Sequence, residues 1–163
     1  MAVIDAFNVF SGGFSAAGAV TYQTVTGASA VVSTNSFDTT GASPTGQNID
    51  LGKGEEMDLV TQVGTAFAGL TALEVQFVSA DDAALTTNVT VLGSSGAVPV
   101  ANLGAGAQIV VPVPPADPRS VRRYVGMRYV PTGTGTAGTV FGAFQRRHGD
   151  VPQPAYKSGF TIA

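Results

Sequence analysis

Apolar and polar residues alternate along short segments of this chain, and Gly, Pro, Ser and Thr separate one segment from the next. Met57, Leu59, Thr61 and Val63 fall on one side of such a segment. Leu73, Val75 and Phe77 share one side of another, with Glu74 and Gln76 opposite. Successive side chains of a strand point to opposite faces, so a period of two marks half-buried β-strands. The pattern predicts strands near 55–63, 73–79, 86–92, 107–113, 121–130 and 138–146. Many short strands with few helical stretches imply an all-β sandwich or closed barrel. Residues 64–71, with Ala66, Phe67 and Ala68, have room for one short helical turn. Pro112, Pro114, Pro115 and Pro118 should end a strand, since proline donates nothing to the ladder, and then stiffen the approach to Arg119. The Gly/Thr-rich run 131–138 reads as an exposed hairpin tip.

The first 48 residues differ from the rest. Val3, Ile4, Phe7, Val9 and Phe10 form an apolar start, followed by a low-charge tract over 11–47 with strand-like pieces at 19–26 and 30–33. Residues 1–48 are therefore expected to form an extended N-terminal arm with edge strands, and 49–163 a β-barrel domain. Ile4, Phe7 and Phe10 are expected to bury against a neighbouring subunit or another surface of the assembly it joins. The plainer alternative is two edge strands joined by a long loop. At the other end, Tyr156, Phe160 and Ile162 follow Pro152 and Pro154 and should dock that tail back on the domain.

Composition narrows the class. A chain of 163 residues suits one domain, which buries roughly 70% of its unfolded surface. Apolar residues make up 44% and charged residues only 12%, a charge content well below the ordinary share. Such a surface suits packing against other proteins, or simply a β protein with many turns. With no cysteine, disulfides, thiolate metal sites and a cysteine nucleophile are excluded. Residues 1–10 hold Asp5 and no basic residue, unlike a signal peptide. No run of 18 apolar residues exists, so no membrane-spanning helix and no membrane partner are expected.

Charge is unevenly placed. Residues 1–117 hold ten acidic residues against one basic residue, Lys53, while 118–163 hold seven basic residues against Asp150. That polarity suggests two surfaces of opposite sign, unless the arginines pair with acidic residues across the sheets. Arg119, Arg122, Arg123, Arg128, Arg146 and Arg147 form the sharpest cluster, interleaved with Tyr124 and Tyr129. Arginine with tyrosine is an interface composition. A pI near 4.8 argues against nucleic acid, and bidentate pairing makes an acidic protein surface the natural target. Arg122, Tyr124 and Arg128 share one strand side and, with Arg119, are the interface candidates. Arg123 falls on the side of Val125, Met127 and Tyr129, where it would be tied up inside the domain.

No enzyme is expected. His148, the one histidine, lies between Arg147 and Gly149 as a solvated loop residue, without the partners of a triad or zinc site. Gly52-Lys53-Gly54 lacks the spacing and following Ser or Thr of a phosphate loop and reads as a tight turn. Asp81-Asp82 reads as a turn with an Asp cap, since calcium needs six to eight oxygens. Asn88-Val89-Thr90 fits the glycosylation triplet but falls within a predicted strand. No catalytic residue, metal or cofactor is expected.

Several short pieces, in order along nearly the whole chain, carry a resemblance. They are Ile4-Asp5, Phe10-Ser11, Ser33-Thr34-Asn35 before Asp38, Asp50-Leu51-Gly52-Lys53-Gly54-Glu55, and Ser79-Ala80-Asp81-Asp82. Arg123-Tyr124-Val125-Gly126 followed by Tyr129, Gly138 with Ala143, and Tyr156-Lys157-Ser158-Gly159-Phe160 complete the set. With them the chain resembles the capsid cement (decoration) proteins of tailed bacteriophages, of the jelly-roll kind found in Bordetella phage. The resemblance implies a jelly-roll-like barrel without enzymatic activity, made in the bacterial cytoplasm. It would sit on the outer surface of an HK97-type shell and tie neighbouring major capsid subunits together. A homo-oligomer is expected, a dimer ahead of a trimer. The competing readings are a carbohydrate- or receptor-binding β module of a tail or fibre, and a cupin-like enzyme. The first is short of exposed aromatics, with no Trp and four Tyr, and the second lacks the histidines for its metal set.

Overall fold

The computed structural model describes residues 8–39, 57–113 and 121–146. The alternating segments are strands. Short ones come first: β1 (Val9–Ser11), β2 (Gly13–Phe14), β3 (Val20–Thr21), β4 (Gln23–Thr24), β5 (Val31–Val32) and β6 (Phe37–Asp38). Longer ones follow: β7 (Met57–Val63), β8 (Ala68–Ala80), β9 (Thr90–Pro99), β10 (Gln108–Pro112), β11 (Tyr124–Ala137) and β12 (Thr139–Arg146). A 3₁₀ turn, Val100–Asn102, leads from β9 towards β10.

Two antiparallel sheets result. The first runs β1-β12-β7-β10, with β4 placed end to end with β1 along β12. The second runs β5-β11-β8-β9, with β6 placed end to end with β5 along β11. A small hairpin, β2-β3, stands apart from both. The protein is an all-β sandwich. The described part of 1–48 supplies strands to an edge of each sheet, and residues 40–56 and 147–163 lie outside the described residues.

Period-two burial explains why the sheets stack. Leu59, Thr61 and Val63 are buried along β7, while Asp58, Val60 and Gln62 between them are partly exposed. Leu73, Val75 and Phe77 on β8 meet Val125, Met127 and Tyr129 of β11 in the same core. Ile109, Val111, Val140 and Phe144 close it from the first sheet. Each such side chain contributes about 1.5–3 kcal/mol on burial. Phe10, Phe37, Phe77 and Phe144 form its aromatic centre, with Phe10 to Phe37 at 4.4 Å and Phe10 to Phe144 at 4.6 Å between ring centroids.

Three expectations are corrected. No helical turn occupies 64–71, because β8 starts at Ala68. The run 131–138 is not a hairpin tip: β11 continues to Ala137 alongside the early part of β8. Bonds to its backbone hold this apolar-poor stretch, including one from the Thr71 hydroxyl to the Thr132 carbonyl. Gly27 and Gly135 exchange N–H···O bonds of 2.8 and 2.9 Å. The strand expected at 86–92 starts only at Thr90, behind a folded loop at 81–89. β9 is uncharged, pairs only with β8 among the described strands, and slips register against it twice.

Candidate interaction surfaces

The outer face of the second sheet carries the charges. Alternation turns Val125, Met127 and Tyr129 inward and leaves Tyr124 and Arg128 facing out. The Arg128 Nε donates to Gln76 Oε1 at 2.8 Å, and Gln76 Nε2 donates to Glu74 Oε1 at 2.8 Å. Ser94 Oγ donates to the same Glu74 oxygen. Arg128, Gln76 and Ser94 are register partners, so the row crosses three strands. The Gln76 and Ser94 hydrogen bonds hold the Glu74 carboxyl below its ordinary range, with Arg128 adding to the effect.

Arg122 and Arg123 are also engaged within the chain. Arg122 Nη1 meets Asp81 Oδ1 at 2.9 Å, with both side chains well exposed. Arg123 precedes β11 and lies at the surface rather than inside. It meets Asp38 Oδ2 at 2.8 Å, and its guanidinium lies 5.0 Å from the centre of the Tyr124 ring. Each of Arg122, Arg123 and Arg128 therefore has an intramolecular acceptor. Arg122 and Arg123 spend their charge on carboxylates of their own chain, while Arg128 donates to the neutral Gln76 amide. Arg119 lies outside the described residues.

The loop at 81–89 plugs this face. Asp82 Oδ1 accepts from the Thr86 and Thr87 amides at 3.0 and 2.6 Å, the Asp cap expected from sequence. Leu85, at φ +56°, turns its side chain down onto Val78 and Ala80, with Tyr124 at the margin. Gly126 makes the space: a Cβ there would lie 2.4 Å from Leu85 Cδ1. Nothing in the local sequence signals this plug, because a lone leucine in a polar loop has no period. Asn88 lies in the loop at φ +51°, not in a strand.

Phe10 is a correction. Its side chain is fully buried in the core of its own chain, not against a neighbouring subunit or a shell. An irregularity between Val9 and Ser11 in the pairing with β12 lets Phe10 and Ser11 both reach inward. Ile4 and Phe7 lie outside the described residues.

The outer side of the first sheet is chemically different. Among the described residues of β1–β4, β7, β10 and β12, the charged positions are Asp58 and Arg146, near one end of the sheet. Toward the opposite end, the β2-β3 hairpin carries Phe14 and Val20 directly opposite each other. Phe14, Val20 and Tyr22 are 39%, 42% and 41% exposed. The Phe14 and Tyr22 rings flank Phe141, which is buried, with ring centroids 5.7 Å from Phe14 and 6.5 Å from Tyr22. Two glycines fit the hairpin to the sheet. A Cβ on Gly12 would run into the Thr21 carbonyl, and one on Gly64 would lie 2.5 Å from the Tyr22 ring. Alternation places Val20 and Tyr22 on one side, but only the fold brings Phe14 to them.

Among the described residues no three His, Asp or Glu side chains come together to hold a metal, and no helix is long and apolar enough to cross a membrane. The sequence model of one family, Bbp16, matches residues 14–144, from β2 to the later part of β12. The chain belongs to the Bbp16 family. Bbp16 is a Bordetella phage protein family, which makes this a phage-associated structural protein and fits a place in the virion. The Bbp16 match takes in both the charged row and the exposed hairpin. No curated protein matches the chain.

Proposed function

We propose that this Bbp16-family protein is a capsid cement (decoration) protein. It binds the outer surface of an HK97-type phage head and ties neighbouring major capsid subunits together, without enzymatic activity and as a homo-oligomer, a dimer ahead of a trimer. The observation that supports this most is the strand order within a phage structural family. Taking β5 with β6 as one interrupted strand, the eight principal strands run first-eighth-third-sixth in one sheet and second-seventh-fourth-fifth in the other. We read that order as the two Greek keys of a jelly roll, an architecture used by viral capsid domains. The low charge content supports a life spent against other proteins.

The test is co-sedimentation of the purified protein with shells assembled from the major capsid protein of the same phage. Saturable binding is the expected result. Absence of shell binding, with binding on a glycan array, would assign the protein to a tail or fibre instead.

A further inference from the structure

We infer that the patch of Phe14, Val20 and Tyr22 is the surface that seats the protein on its shell, against an uncharged, apolar protein surface. The inference rests on the cement reading and adds to it which face is used and what chemistry meets it.

Among the described residues five large apolar side chains stand well exposed: Phe14, Val20, Tyr22, Val91 and Val110. Three of the five gather on one small hairpin. Isolated exposed apolar residues need no explanation, but a cluster with two aromatics has the composition of a binding anchor.

The hairpin is also held in place before any partner arrives. The Ser15 and Ala19 backbones close its loop, with Ser15 N donating to Ala19 O at 2.7 Å and Gly18 N donating to Ser15 O at 2.8 Å. Ser15 Oγ accepts from the Ala19 amide at 3.1 Å. Phe141 and the bare backbone of Gly64 form the floor under the two rings. A surface ordered in advance loses little entropy on binding.

Charge selects the partner. Residues 8–37 contain no charged side chain. Arg122, Arg123 and Arg128 each bond to acceptors of their own chain, on or beside the other sheet and away from the hairpin's uncharged stretch. A nucleic acid, an anionic membrane or an acidic protein would gain no ion pair at the hairpin and would lose hydration from its own charges. A neutral protein surface has no charge to desolvate there.

The size of the patch argues against a second copy as its sole occupant. A stable dimer uses roughly 20–30 residues a side, and this patch offers three large side chains. On a shell, a small anchor suffices, because one subunit that touches two neighbours binds the second at high effective concentration.

The experiment titrates wild-type protein, Phe14→Ser, Tyr22→Ser, Val20→Thr and Val91→Thr onto shells of the major capsid protein alone, at low and high salt. Thermal unfolding checks each fold. Phe14→Ser and Tyr22→Ser should weaken binding about tenfold or more, and the milder Val20→Thr by a smaller factor. Val91→Thr, on the other sheet, should bind as wild type. Val20→Thr keeps a β-branched side chain at an exposed strand position, so it stays informative if a ring variant fails to fold. Wild-type binding should change little with salt. Unchanged binding by folded hairpin variants would overturn the inference and leave the cement reading standing, as would a steep loss with salt. Wild-type protein that does not bind shells would overturn both. Light scattering of the free proteins covers the remaining occupant: hairpin variants that turn a wild-type oligomer into monomers would assign the patch to a second copy and overturn the inference.

Discussion

The Tyr129 hydroxyl donates to Ser11 Oγ at 2.7 Å, joining residues 118 positions apart. Tyr129 belongs to β11 in the second sheet and Ser11 to β1 in the first, so the bond crosses the core and ties the two layers. Both residues are fully buried. Gly142 leaves the room for it, since a Cβ there would lie 2.7 Å from the hydroxyl. A buried polar pair costs little while both members are present and much when one is removed.

Tyr129→Phe should therefore destabilise the fold by about 1–3 kcal/mol. Urea unfolding measures this. Ser11→Ala in the same background should add less than it does alone, because the partner is already gone. Strict additivity of the two changes would show that the bond contributes nothing of its own.

Burial holds the Tyr129 hydroxyl in its protonated form and raises its pKa above the ordinary tyrosine value. An acid whose folded pKa is raised contributes stability fully present below its unfolded pKa. That contribution is lost as pH rises above the unfolded value of about 10. The unfolding midpoint should fall on the alkaline side of that pH, and the fall should be shallower in Tyr129→Phe. Identical alkaline limbs for the two proteins would count against the assignment.

Gly126→Ala places a methyl group 2.4 Å from Leu85 Cδ1 and 2.9 Å from Ser33 Oγ. Overpacking of this kind costs about 1–3 kcal/mol. Trimming the plug with Leu85→Ala should make the Gly126→Ala change milder than it is in the native background. Thermal midpoints of the four proteins read the coupling.

Alanine at Arg122 and Arg128 should leave shell binding unchanged, since both side chains already serve their own chain. Arg122→Ala removes an exposed pair worth about 0–1 kcal/mol, and Arg128→Ala takes a hydrogen bond worth about 1 kcal/mol from Gln76. A large, salt-dependent loss of binding would return the arginine face to the interface.

Phage particles lacking the protein should release DNA at lower temperature, or more readily on osmotic shock or chelation, than complete particles. Many copies each adding several kcal/mol of contact between capsid subunits would oppose internal pressure. Equal survival under all three stresses would contradict the cement reading.

The strands at 57–63 and 73–77 could be read from the chain because alternating burial writes itself into alternating residue types. β11 could be read only as far as Val130. Beyond it, pairing runs through glycine and threonine backbones, which leave no apolar trace. The inward side of β11 was legible for Val125, Met127 and Tyr129, but the partners of the arginines were not. Asp81 lies 41 positions from Arg122 and Asp38 lies 85 from Arg123, and no local pattern encodes such distances. Phe10 misled for a related reason: its inward turn comes from an irregularity in pairing with β12, far along the chain. The exposed hairpin was half legible, through Val20 and Tyr22, while Phe14 reaches Val20 only through the loop closed between Ser15 and Ala19.

β9 bears on what happens when copies crowd together. A ten-residue edge without a charge is the kind of strand that recruits its own likeness and zips into fibres. Among the described strands β9 ends its sheet, and it slips twice against β8; such bulges bend a strand and interrupt the straight ladder that a second copy would extend. Irregular pairing of this kind is one way a sheet rim discourages runaway polymerisation without the lysines found on many other edges.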